Sequence, residues 1–225
     1  MKFGKVIGAG TANLKEFVES SKAAKKAAVD RHVQNRDWEQ LVGFADSDYG
    51  GDTDTRRSMR GYAVYYNGDL IVTKAKLDTV VSLSSGEAEV SALVLCVQEV
   101  NWLRGLLQEL GDEEVGEYPS VIFEDNQAAC AMVENPNKLH TRTKHIAIRK
   151  HWVADQVVGG EVRIVWIGTD VQIADIFTKS LSKGKFEVFR NFIVVKLSVV
   201  EDGVKDTKVE GSAQCVCTCD KCNGR

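Results

Sequence analysis

Four acidic residues in short motifs are the part of this 225-residue chain best equipped for chemistry. They are Asp46 in GFADSDYGGD, Glu89 in LSSGEAEVSAL, Asp125 in VIFEDNQAA and Asp175 in VQIADIFTKSL. Each falls where a strand is predicted to end or where a predicted helix carries one acid on its inner face, so the four can converge. Carboxylates beside apolar runs are costly to bury unless a positive charge offsets them, and a divalent cation does so. Hard oxygen donors, with no paired His or Cys in any of the four motifs, select magnesium, with manganese as the alternative, over zinc. Two such ions about 3.5 to 4 Å apart activate a water and steady the leaving oxygen in phosphodiester cleavage, so the reaction class is hydrolysis.

Each acid taken alone also has an ordinary structural use. Asp46 and Asp48 can shape an Asx turn, Glu89 can be solvated, Asp125 can cap the helix that follows, and Asp175 can stabilise a helix start. A calcium loop is excluded, because DSDYGGD opens like an EF-hand but puts Gly50 at its fifth position and Arg57 at its twelfth. A basic stretch from Asn135 to Ala154 holds no acidic residue. Its Lys138, Arg142, Lys144, His145, Arg149 and Lys150 are candidate contacts to nucleic-acid phosphates, with Trp152 adding a flat aromatic surface. By charge alone, an ordinary solvated helix face explains the same stretch equally well.

The elements that would position these residues follow from periodicity. LVGFADS reads as a buried strand, RGYAVYY and DLIVTKAK as strands joined by the Asn67-Gly68 hairpin turn, and TVVSL as a further extended piece. Ser84 with Glu87 forms a capping box, from which an apolar stripe from Val90 to Leu110 runs to Gly111, so a long helix is predicted with Glu89 on its core side. SVIFED is the next strand, NQAACAMVEN a short helix stopped by Pro136, TKHIAIRKHWVADQVVGG a basic helix and VRIVWI a strand. Asp170 is predicted to start a last helix that places Asp175 one turn in. A meander followed by alternating strands and helices is an α/β arrangement with a mixed sheet flanked by helices.

With 44% hydrophobic residues and two prolines, the chain is long enough for one packed domain with ragged ends. Residues 1–40 are expected to be a peripheral, partly helical lead-in with little apolar surface to dock, residues 41–193 the domain, and residues 194–225 a disordered tail. A net charge of −3 excludes coating of nucleic acid by bulk electrostatics, so any such contact must be local. No stretch of roughly 20 apolar residues and no signal-peptide core is recognised, so an intracellular protein, cytoplasmic or nuclear, without membrane contact is expected. Cys96 and Cys130 read as small buried thiols. Cys215, Cys217, Cys219 and Cys222 can clamp zinc but lack the separated pairs of a zinc finger.

GFADSDYGGDTDTRRSMRGY, VSLSSGEAEVSAL, NWLRGLLQELG, EDNQAAC, HTRTKHIAIRKHW and QIADIFTKSL, in this order and spacing, resemble the ribonuclease H domain that ends the Pol polyprotein of copia-type retrotransposons. The resemblance covers roughly residues 41–193. It implies a ribonuclease H-like fold with a five-stranded mixed sheet, three strands antiparallel and then two parallel. It further implies cleavage of the RNA strand of an RNA:DNA hybrid, with Asp46, Glu89, Asp125 and Asp175 as catalytic acids holding two Mg2+ or Mn2+ ions. A reverse transcriptase on another chain is the protein partner it allows. Tyr49, Thr73, Val90 and Ala147 depart from the family pattern, and none is a predicted ligand. The altered aromatics leave a catalytically inactive, nucleic-acid-binding relic as the alternative.

Overall fold

Three strands form an antiparallel meander: β1 (Leu41–Asp48), β2 (Met59–Tyr66) and β3 (Asp69–Leu77). Asn67 and Gly68 link the last two with φ of 52° and 82°, the positive values a type I′ turn requires and that Asn and Gly adopt at least cost. β4 (Ser120–Glu124) then pairs parallel to β1, and β5 (Val162–Trp166) parallel to β4. The sheet order is β3-β2-β1-β4-β5, with the strand directions that the ribonuclease H resemblance implies. Lysines 74 and 76 stand exposed on β3, where charge blunts an open sheet edge. The structure, a computed structural model, describes residues 14–20, 40–134 and 144–194, with the side chains of 144–147 left out.

β1 and β4 are buried on both faces, so each face needs a helical cover. On one side lie α2 (Ser85–Glu109), α3 (Glu114–Glu117), α4 (Gln127–Glu134) and α5 (Lys144–Val158), around Ala45, Tyr62, Val64, Leu93, Val97 and Ile122. On the other lie α1 (Leu14–Ser20), the one-turn α6 (Asp175–Thr178) and α7 (Lys183–Ile193), around Phe44, Ala63, Tyr65, Phe123 and Ile173. Cys96 and Cys130 are buried free thiols, as expected.

Ser84 caps α2 by accepting from the Glu87 amide at 3.2 Å. The Glu87 carboxylate reaches back to the amide of Leu83, at 2.7 Å, one residue beyond the position a strict capping box would use. At the other end Gly111, at φ 93°, donates to Gln108 and Asp112 donates to Leu107, which closes the helix as a Schellman motif. Against the sequence expectation, α2 is long and apolar enough by composition to cross a membrane. Half of that stretch is buried inside the protein, and Glu89 and Arg104 are buried within the helix.

Three further expectations change. Thr79–Leu83 is not a strand: Asp78 turns inward to pair with Arg60 at 3.6 Å, and the chain leaves the sheet with Val80, Val81 and Leu83 exposed. The lead-in does dock, because Leu14 and Val18 of α1 are buried and Phe17 stacks on Phe192 with ring centroids 4.5 Å apart. The predicted helix over VQIADIFTKSL is broken into a 3-10 turn (Thr169–Val171) and α6, and α7 follows it as a helix the sequence reading does not include. Gln172 causes the first break: its side chain donates to the Ala45 carbonyl at 2.8 Å and accepts from the Ala174 amide, substituting for helical bonds. The four cysteines of the tail lie outside the described residues.

Candidate metal centre

Asp46 projects from β1 toward α6, opposite Gly61 on β2. Glycine at 61 is required by close approach, since a Cβ there would lie 2.8 Å from Phe177 Cβ and from Thr178 Cγ2. Glu89 enters from the first turns of α2, and Asp125 sits one residue past the end of β4. The free ends of these elements bring one carboxylate oxygen from each of Asp46, Glu89 and Asp125 within 4.8 Å of one another. Asp46 and Glu89 are buried, whereas Asp125 is half-buried and forms the open side of the cluster.

Asp125 is aimed by its neighbours. Its carbonyl accepts from the Trp166 indole at 2.9 Å, and Asn126, not Asp125, caps α4 by accepting from the amides of Ala128 and Ala129. Asp125 is thereby free of the capping role. Glu124, fully buried, accepts from the Asn126 amide at 3.0 Å through one oxygen and leaves the other without a partner.

Asp175 begins α6 and is buried beside Asp46 without joining the cluster of three. Both its oxygens face lysines: Lys179 lies 2.8 Å from Oδ1 as an ion pair without hydrogen-bond geometry, and Lys185 donates to Oδ2 at 2.5 Å. Lys179 also lies 3.2 Å from Asp46 Oδ1, so one ammonium joins two of the acids. The Thr178 hydroxyl donates to Asp46 Oδ2. Lys179, Lys185, Thr178 and Glu124 were not predicted from sequence. The four-residue spacing of Asp175 and Lys179 is the signal for one of them.

Electrostatics fit a site short of positive charge. Burial, then the fields of Asp46 and Asp125, push Glu89 up to about 9. Asp46 rises to about 6 through burial and the Asp175 charge, against the opposing pull of Lys179 and Thr178. Glu124 is driven well above the carboxylate range by burial and by Glu89. Lys179 is also raised, by a different balance: burial acts against its charge, but Asp46 and Asp175 outweigh it and hold its pKa above the ordinary value.

No protein-family model matches the chain. Over 153 residues, 68% of its length, it is 37% identical to the retrovirus-related Pol polyprotein from transposon TNT 1-94 of Nicotiana tabacum. Over 158 residues, 70% of its length, it is 38% identical to the one from transposon RE2 of Arabidopsis thaliana. This chain is homologous to a segment of plant-transposon Pol polyproteins. It spans 11% of the length of each of these relatives. Among solved structures it is similar to LC11-RNase H1, isolated from compost, at 14% identity and a TM-score of 0.46, covering 62% of this chain and 93% of that one.

The basic stretch of this Pol homologue is only partly placed. Lys138 and Arg142 lie outside the described residues, and Lys144 and His145 are located only as positions in the first turn of α5. Arg149 is half-buried and donates to the Ser91 hydroxyl at 3.0 Å. Lys150 corrects the sequence reading: it is fully buried, with no partner for its ammonium, and is not a surface phosphate contact. Helical spacing accounts for this, because Lys150 shares a face with the buried Val153 and Ala154, which pack in the core with α2.

Proposed function

We propose that the chain is a metal-dependent endonuclease of the ribonuclease H type that hydrolyses the RNA strand of RNA:DNA hybrids. One observation carries this reading: Asp46, Glu89 and Asp125 converge within 4.8 Å while Glu89 Oε2, on a residue only 6% exposed, has no hydrogen-bond partner. An orphaned buried carboxylate oxygen in an all-oxygen donor set fits a hard divalent cation, and these three residues would hold Mg2+ or Mn2+. When bound, the ion supplies charge stabilisation at the scissile phosphate and lowers the pKa of a water. Thr178 and Lys179 orient Asp46, the Trp166 contact orients Asp125, and the half-buried Asp125 leaves the side by which a phosphate enters.

Hybrid as substrate is supported by the resemblance to the ribonuclease H domain of copia-type polyproteins and by homology to Pol. In this reading the chain works inside the cell, alongside a reverse transcriptase on another chain. The test is cleavage of a labelled RNA:DNA duplex with and without Mg2+. Asp46→Asn and Asp125→Asn should each lower the rate by at least on the order of 100-fold while leaving the thermal midpoint near that of the parent or above it. Equal cleavage by parent and variants overturns the assignment. A second reading, hybrid binding without turnover, has one observation in its favour: both oxygens of Asp175 are already neutralised by lysines. It predicts salt-sensitive binding and no product when Mg2+ is supplied.

A further inference from the structure

The four acids form two unequal halves. Asp46, Glu89 and Asp125 bring one oxygen each within 4.8 Å of one another, whereas the space between Asp46 and Asp175 is taken by the Lys179 ammonium, 3.2 Å from one and 2.8 Å from the other. Lys185 closes the remaining oxygen of Asp175 at 2.5 Å and is itself fixed by the Thr169 carbonyl at 2.8 Å. The two ammonium groups of Lys179 and Lys185 therefore both stand on the Asp175 side of the site.

We infer that this chain carries its second cation covalently: the ammonium of Lys179 stands between Asp46 and Asp175 where a second metal ion would lie, leaving a centre for one divalent ion at Asp46, Glu89 and Asp125. The inference rests on the metal-centre reading above and changes its stoichiometry from the pair implied by the resemblance to one. A lysine suits the position because its ammonium is a compact point charge on a flexible stem, and Lys179, four residues beyond Asp175, is delivered as α6 ends. Lys179 is 33% exposed, so its charge also borders the solvent side from which a phosphate approaches.

Mn2+ separates the alternatives, because two ions a few ångströms apart give a coupled-pair electron paramagnetic resonance spectrum and one ion gives an isolated six-line spectrum. The full chain is saturated with a hybrid whose RNA strand is 2′-O-methylated and not cut, and titrated with Mn2+ against the hybrid alone. The parent should show one protein-bound ion with an isolated spectrum, and Lys179→Met, or Lys179→Met with Lys185→Met, should gain a second ion and the coupled signal. Circular dichroism establishes that each variant is folded before its spectrum is read. A coupled pair in the parent overturns the inference, as does a single isolated ion in the parent and in both variants. No protein-bound Mn2+ in any of them overturns it together with the metal-centre reading, an outcome distinct from the first two.

Discussion

Glu89 is under opposing demands. Burial and its acidic neighbours favour the neutral acid, with the pKa at about 9, whereas ligation needs the carboxylate. A carboxyl whose pKa is higher folded than unfolded binds more protons in the folded state, so metal-free stability falls as pH rises from about 4.5 toward 9. Asp46, at about 6, adds to the lower part of that fall. Thermal melts in EDTA should therefore decline between pH 5 and pH 9, and Glu89→Gln should flatten the decline because the amide has no proton to lose. Mg2+ should restore the parent most strongly at the alkaline end, where it no longer competes with that proton. A flat parent profile in EDTA would remove the basis for this account. The acids themselves were legible because each interrupts an apolar run at the end of a predictable element. Lys185 was not, since its reach depends on a break between α6 and α7 that residue spacing does not encode, whereas Lys179 is signalled only by its four-residue spacing from Asp175.

At the scale of elements, the site depends on how closely α6 approaches β2. α6 has four residues, too few to leave a periodic signature, and from sequence it reads as the middle of a longer helix. What fixes it is Gly61, visible in the sequence only as a glycine inside a strand pattern, a sign of close backbone approach. Gly61→Ala would set a methyl carbon 2.8 Å from Phe177 Cβ and Thr178 Cγ2, in a layer without space to yield. The expected cost is about 1 to 3 kcal/mol of stability, as for other overpacked interiors. Because Thr178 and Asp175 move with α6, Mn2+ affinity should fall as well, whereas a purely packing defect would leave the metal isotherm of the folded fraction unchanged. Denaturant unfolding together with calorimetric titration reads both effects. The meander, the hairpin turn and α2 needed no such knowledge, because alternation, Asn-Gly and the Ser84 cap are local signals. Thr79–Leu83 misled for a related reason: its β-branched composition suits a strand, but the buried Asp78–Arg60 pair turns the chain away.

Across the whole molecule, the face of the sheet that carries Asp46 is completed by pieces from both ends of the described chain. Phe17 of α1 lies 4.5 Å from the ring of Phe192 and 6.0 Å, edge-on, from that of Phe189, while Tyr65 of β2 donates to the Phe192 carbonyl at 3.1 Å. α1 has seven residues, and helices that short are marginal alone in water, so packing and not propensity holds it. That is why the segment read as a peripheral lead-in: two buried positions, Leu14 and Val18, are too few to announce a helix, and their partners lie at the far end of the sequence. If α1 belongs to the cooperative unit, Leu14→Ala should lower unfolding free energy by about 2 kcal/mol or more, up to the full docking energy of the helix. Amide protection in α7 should fall with it, because α7 loses the surface on which Phe189 and Phe192 rest. Unchanged protection in α7 would mean that α1 is dispensable to the second layer. Loss of protection reaching α6 would instead show that the N-terminal helix helps hold Asp175 beside Asp46, which makes the metal centre a property of the assembled sheet and both its covers.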